Sequence, residues 1–388
     1  MSERSYEIGA YYFPGYHRDP QVSAWHGEGW TEWVLTEAAR PRFRGHQQPK
    51  VPLEGLLDEA SPRVMKRKTD LAWSHGLSHF IFDWYYYESG PFLNRCLDEG
   101  FLGIKPAPQL KFALMWANHD WLNIQPARLD GNNPCLLKGA VGPKLFGHVC
   151  DHLIERYFTS PLYWSIEGKP YFSFYDLPNL IRGLGGVAGA AKALQAFRKK
   201  AQRAGLPGLH LNLVHWQTRI VGSDEKIADT AAVIAALGFD SLSSYVWIHH
   251  YPFERLRFPA TDYRAMLAYN RQYWQDTAGQ FPIPYFPNVT MGWDATPRCL
   301  ATDAFENRGY PFMATLSGNT PANFRHALRQ AKRHLDSTAL PTRHLSINAW
   351  NEWTEGSYLE PDTTNRYAYL EAIRSVFTPQ HKSKPSSP

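Results

Sequence analysis

The fold class that the sequence predicts is α/β, a single (β/α)8 TIM barrel with long loops at the C-terminal face of the strands, and three observations predict it. Eight short apolar or aromatic runs recur along the 388 residues. Helix-like segments separate most of them, as parallel neighbours require a crossover between successive strands. Most runs are followed by polar or aromatic residues, the position where a barrel carries its site. A doubly wound open sheet is the alternative reading of the same alternation.

In chain order the runs are Ile8–Phe13, His79–Trp84, Lys111–Trp116, Pro170–Tyr175, Leu209–His215, Ser241–Trp247, Tyr285–Met291 and His344–Trp350. The first long helix starts at Ser61-Pro62, a capping residue followed by a proline at the first turn, and stops at Gly76. Helical patterns follow over Lys144–Tyr157, Val187–Ala204, Asp224–Leu237, Asp262–Thr277, Pro321–Leu335 and Thr364–Phe377, several ending at glycine, as at Gly205, Gly238 and Gly279. Gly183–Gly189 lies away from its strand and lacks Gly-Lys-Ser/Thr, so it reads as a loop entering a helix and not as a phosphate cradle. The long loops fall after the first and seventh strands. Residues 1–377 are expected to form one catalytic domain, and the Pro/Ser/Lys-rich stretch 378–388 a disordered tail.

Composition narrows the function classes. A net charge of +5, with basic segments such as Arg198-Lys199-Lys200 inside helical patterns, offers no nucleic-acid footprint. No window approaches 18 consecutive apolar residues, which excludes membrane insertion by a helix, and the first residues hold no apolar signal core. Cys96, Cys135, Cys150 and Cys299 are scattered without a CxxC pair, so reduced thiols and a cytoplasmic location are expected. The unusual share is aromatic: 14 Trp, 21 Tyr and 21 Phe, many beside polar residues, suit a cleft for a flat, partly apolar ligand such as a sugar.

Candidate site residues follow from the strand ends. Glu352 and Glu355 lie three apart among Trp350, Asn351 and Trp353. Two carboxyls beside indole rings suit glycosidic chemistry, one neutral and donating a proton while the other stays ionised. They are the expected catalytic pair, with the proton assigned to Glu355. Expected sugar contacts are Tyr12, Asp83, Trp84, Trp116, Asn118, His119, His250, Trp293, Asp294, Trp350 and Asn351. Tyr11, Tyr85, Asp120, Tyr175, Asp176, His215, Gln217, Trp247 and His249 end or follow strands too. Glu32, between Trp30 and Trp33, is a candidate third carboxylate beside the mouth. His119-Asp120 and His249-His250 lack HxxxH or HxH spacing, so neither a metal nor an organic cofactor is expected.

Several motifs in this order resemble proteins of the WbsX type, related to glycoside hydrolase family 99. They are Gly29–Trp33, Arg42–Pro49, Phe82–Tyr86, Met115–Trp121, Gly292–Arg298, Asn348–Gly356 and Leu359–Asp362, nearly end to end. The resemblance implies a (β/α)8 barrel acting on α-mannosides with retention. It gives Glu352 the role of base toward the sugar 2-hydroxyl, which attacks its own anomeric carbon. Glu355 becomes the acid and then the base for water. His119 and Asp83-Trp84 depart from the family pattern at the sugar subsite. A glycosyltransferase of surface-polysaccharide synthesis is the second expectation, although the chain has no DxD, and a non-catalytic sugar-binding barrel is the third.

Overall fold

The computed structural model describes residues 6–216 and 229–378. Gln217, the first residues of the helix predicted over Asp224–Leu237, and the tail from 379 onward lie outside them. A nearly closed barrel of nine parallel segments forms the centre: β1 (Glu7–Tyr12), β2 (His79–Tyr87), β3 (Lys111–Trp116), β4 (Lys169–Phe174), β5 (His210–Val214), β6 (Ser241–Ser243), β7 (Tyr285–Phe286), β8 (Asn288–Thr290) and β9 (His344–Asn348). Neighbours pair in the order β7-β6-β5-β4-β3-β2-β1-β9-β8. The two ends of that list adjoin in the chain, parted only by Pro287, which has no N–H to give a ladder. The seventh predicted strand is thus one barrel position in two pieces. Its first half pairs with β6 at Leu242–Ser243, and its second with β9 at Ser346–Asn348.

Helices cover the outside. They include Pro62–Ser74, Pro143–Leu153, Val187–Arg203, Thr230–Leu237, Tyr263–Gln280, Pro321–Ser337 and Ala368–Phe377. Asp229, Asp262 and Thr320 cap three of them by accepting backbone N–H bonds, whereas Ser61 makes no such bond. The last helix begins later than the sequence predicts. Asp362 accepts from the N–H groups of Thr364 and Asn365, and that turn takes up the expected first helical residues.

The strands are buried on both faces, as barrel strands must be. The inward side chains form layers. At the bottom His79 stacks on Trp164 at 4.0 Å and lies 5.1 Å from His344. Above it, Asn212 accepts from Ser173 and Ser243, each at 2.8 Å. At the top, the register pairing Asp83 with Met115 puts both on the inside, while Trp84 and Trp116, paired next to them, point out.

Candidate active site

The inward residues at the C-terminal strand ends open into a pocket of about 590 Å3 including its mouth. Its floor is Asp83 from β2, Tyr245 after β6, Arg298 after β8, and Glu352 and Glu355 after β9. Phe13, Tyr85, Trp121 and Tyr175 give it aromatic walls, and His119, Asp120 and Gln125 bring polar groups. Tyr85 and Trp121 meet edge to face at 5.2 Å.

Arg298 organises the floor. Its guanidinium lies 3.2 Å from Glu32, 3.7 Å from Glu352 and 3.8 Å from Glu355, and is only 4% exposed. Tyr310 donates to Glu355 Oε1 at 2.6 Å. The Tyr245 hydroxyl lies 2.8 Å from both Asp83 Oδ2 and Glu352 Oε1. Burial pushes Glu352 well above the ordinary carboxylate range, and Glu355 and Asp83 add to it against Arg298. Burial also raises Glu355, where Arg298 and the Tyr310 hydrogen bond pull the other way. Both carboxyls are raised by burial, and their hydroxyl partners differ, Tyr245 for Glu352 and Tyr310 for Glu355. Burial likewise raises Asp83 and keeps His119 neutral.

Three motifs converge to hold this floor. Glu32 of the Gly29–Trp33 motif is an ion-pair partner of Arg298 and does not line the pocket. Arg42 donates to the carbonyls of Cys299, Leu300, Ala301 and Asp303, fixing the segment just after Arg298. His46 and Gln48 each reach Asp294 Oδ2 at 2.7 Å, and Thr296 donates to its Oδ1 at 2.6 Å. The loop that carries Glu352 and Glu355 is anchored underneath. Lys68 bonds Glu59 at 2.5 Å and Glu360 at 2.6 Å, and Glu360 accepts from the indoles of Trp350 and Trp353.

Of the predicted contacts, Asp83 and His119 line the pocket with Glu352 and Glu355; the rest do other work. Tyr12 points outward and donates to Met65 of the first long helix, because its inward neighbour is Tyr11. Trp84 packs outside the barrel near Tyr157, and Trp116 against Phe146. Asn118 staples the β4 end, donating to Asp176 O and accepting from Asp176 N. His250 stacks on Tyr273 at 3.8 Å beside Ser244. Trp293 and Asp294 line a neighbouring cleft, with Asp294 held by its clamp. Trp350 is fully buried over Glu360. Asn351 ties the loop to β1 through both backbone groups of Phe13. Sequence reasoning missed Tyr245, Tyr310 and the role of Arg298. Arg298 ends the Gly292–Arg298 motif, whereas Tyr245 and Tyr310 carry no local signal in the sequence. Among the described residues no three His, Cys, Asp or Glu side chains are grouped as metal ligands.

Comparison with known proteins agrees with this architecture. The family described as Glycosyltransferase WbsX matches residues 8–373. The chain belongs to the WbsX family. It is 28% identical over 378 residues to proteins named Uncharacterized protein WxcX from two strains of Xanthomonas campestris pv. campestris, covering 95% of this chain. The alignment takes in 49% of those relatives, so the chain spans about half the length of the curated relatives it matches. Among solved structures, a GH99 endo-alpha-mannosidase from Bacteroides thetaiotaomicron superposes with a TM-score of 0.56 at 15% identity, over 96% of each chain. A protein titled Glycoside hydrolase-like protein gives 0.59 at 14% identity, over 97% of this chain and 95% of its own. The WbsX chain therefore has a glycoside hydrolase-like fold. No helix among its described residues is long and apolar enough to cross a membrane.

Proposed function

We propose that this WbsX protein is a retaining glycoside hydrolase acting on a polysaccharide or oligosaccharide, with Glu352 and Glu355 as its catalytic pair. The observation that carries this reading is the two buried glutamates lining one aromatic-walled pocket, both raised by burial yet given different partners. Tyr310 steadies Glu355, and Tyr245 with Asp83 contacts Glu352. Environments that separate two carboxyls suit distinct acid and base roles. The likeness of the Asn351-Glu352-Trp353-Thr354-Glu355-Gly356 motif to family 99 supports retention with 2-hydroxyl participation on an α-mannoside-like sugar. Glu352 takes the 2-hydroxyl proton as that oxygen attacks the anomeric carbon, and Glu355 protonates the leaving oxygen. Glu355 then takes a proton from water as the water attacks the same carbon, and Glu352 returns its proton to the 2-oxygen.

The family description favours a second reading, transfer from a nucleotide sugar. The pocket lining argues for hydrolysis instead. Among the described residues Asp83, Asp120, Glu352 and Glu355 line it against Arg298 as the one Lys or Arg side chain, a poor seat for a diphosphate. The partner is then a carbohydrate, and the free thiols suit a reducing, cytoplasmic setting.

The test is turnover of α- and β-linked glycans, mannosides included, with product anomers followed by NMR. Glu352→Gln and Glu355→Gln should each lose at least about a hundredfold in kcat/KM, since each removes a proton-transfer group. Turnover surviving in both variants would move the chemistry elsewhere. Transfer from nucleotide-sugar donors without hydrolysis would favour the second reading.

A further inference from the structure

We propose that Asp83 is the proton store of Glu352, the two carboxyls sharing a proton across the Tyr245 hydroxyl so that Glu352 stands ionised while Asp83 stands neutral. The proposal rests on the reading of Glu352 as the base and deepens it by naming what keeps that buried base ready.

Tyr245 has one hydroxyl hydrogen, yet its oxygen lies 2.8 Å from a carboxyl oxygen on either side. A phenol donates once and accepts in its remaining direction, so two close contacts to acids require one acid to be the donor. Asp83, Tyr245 and Glu352 then hold two protons among three groups. In the rival arrangement one phenol proton is forked between two ionised carboxylates, which sets two negative charges side by side in a buried site.

Geometry also says which acid is neutral. Glu352 Oε2 lies 3.7 Å from the Arg298 guanidinium. Each acid buries one oxygen without a hydrogen-bond partner, Asp83 Oδ1 and Glu352 Oε2, but no ion pair among the described residues involves Asp83. A charge on Asp83 would have no cation beside it. The remaining groups facing the pair do not alter this. The phenols of Tyr11, Tyr16, Tyr85, Tyr175 and Tyr310 are pushed well above their ordinary range by burial and stay neutral, leaving Arg298 with its partner Glu32 as the charged neighbours and Glu355 as the other titrating carboxyl. Burial raises both acids, and Arg298 pulls down Glu352.

The exchange balances. The Asp83 Oδ2–H bond breaks as a new Tyr245 O–H bond forms, and the old Tyr245 O–H bond breaks as a Glu352 Oε1–H bond forms; nothing is oxidised or reduced. With the proton on Asp83, Tyr245 donates to Glu352 and the free Oε2 accepts from the substrate hydroxyl. Asp83 acts through Tyr245 and is a positioning residue.

The experiment is infrared difference spectroscopy of the free protein at neutral pH, following the C=O stretch of protonated carboxyls. Wild type minus Asp83→Asn should show the loss of one such band. Tyr245→Phe should keep the band and move it to higher frequency, since the acid loses its acceptor. No band lost in Asp83→Asn would overturn the proposal, because the proton would then sit on Glu352 or be absent. On any glycan that is turned over, Asp83→Asn should leave the acid limb of kcat/KM in place, the amide standing in for a neutral acid. A downward move of about one unit would mean that Asp83 is charged in the working enzyme. The infrared result stands whether or not a glycan is cleaved, so failure of the hydrolase reading and failure of the shared proton are told apart.

Discussion

At the scale of single residues, the site works by giving chemically identical carboxyls different neighbours. Glu355 receives a 2.6 Å hydrogen bond from Tyr310, which favours its ionised form and holds down a pKa that burial raises. Removing that donor in Tyr310→Phe should raise the Glu355 pKa by about one unit. As the acid must be protonated, the alkaline limb of the kcat/KM profile should move up with it while the acid limb stays. An unmoved alkaline limb would take the acid role from Glu355. The residue scale is also where sequence reading erred most. Tyr11 and Tyr12, Asp83 and Trp84, and Met115 and Trp116 are neighbours whose side chains point to opposite faces. Both faces of a barrel strand are buried, so no polar alternation marks the inward one. Asp83 lines the pocket, whereas Tyr12, Trp84 and Trp116, expected as sugar contacts, pack beneath the helices.

At the scale of elements, the loop after β9 is the part that must not move. Trp350, Asn351 and Trp353 fix it from below through Glu360, Glu59 and Phe13. Gly356 ends it with φ +61, and a Cβ there would come within 2.6 Å of Asp294 Cβ. Lys68 neutralises the anchor from the first long helix, holding two buried carboxylates. Lys68→Met should therefore cost about 3–5 kcal/mol, the penalty for leaving buried charges unpaired. Urea unfolding measures it, and a loss within about 0.5 kcal/mol would mean the anchor tolerates neutralisation. Sequence motifs at this scale were legible as short strings but not as partners. Arg42–Pro49 and Gly292–Arg298 are far apart in the chain, and only folding reveals that the first clamps the second.

At the scale of the whole molecule, many titratable groups are buried in and around the barrel. His17, His210 and His215 are lowered to about 4, His249 and His344 to about 3, and His79 and His250 further below their ordinary value, burial being the first cause in each. Each contributes stability that is complete above the unfolded value of 6.5 and lost as pH falls toward the folded value. Asp83, Glu59, Glu352 and Glu355 act oppositely. Their raised values give stability that is complete below the ordinary carboxylate range and lost as pH rises through the folded value, about 7 for Glu59. Histidines lowered by burial outnumber the four raised carboxyls, so the net effect is an acid instability. Tm should fall as pH drops from 6.5 to 4.5, and more steeply below, where the carboxyl contributions no longer change. A scanning-calorimetry series in which Tm stays level or rises on acidification would contradict this balance.

The sequence by itself determined the alternation of strands and helices and put Glu352 and Glu355 together in the loop after the last strand. These rest on local pattern: apolar runs, proline and glycine at helix ends, and two acids among indoles within one short loop. Only the tertiary structure decided which side chains share the pocket, and which cation and hydroxyls serve the pair. Arg298, Tyr245 and Tyr310 meet the glutamates from loops far off in the chain. Such meetings are fixed by strand register and barrel closure, and a one-residue shift in register would exchange Asp83 for Trp84 at the pocket floor.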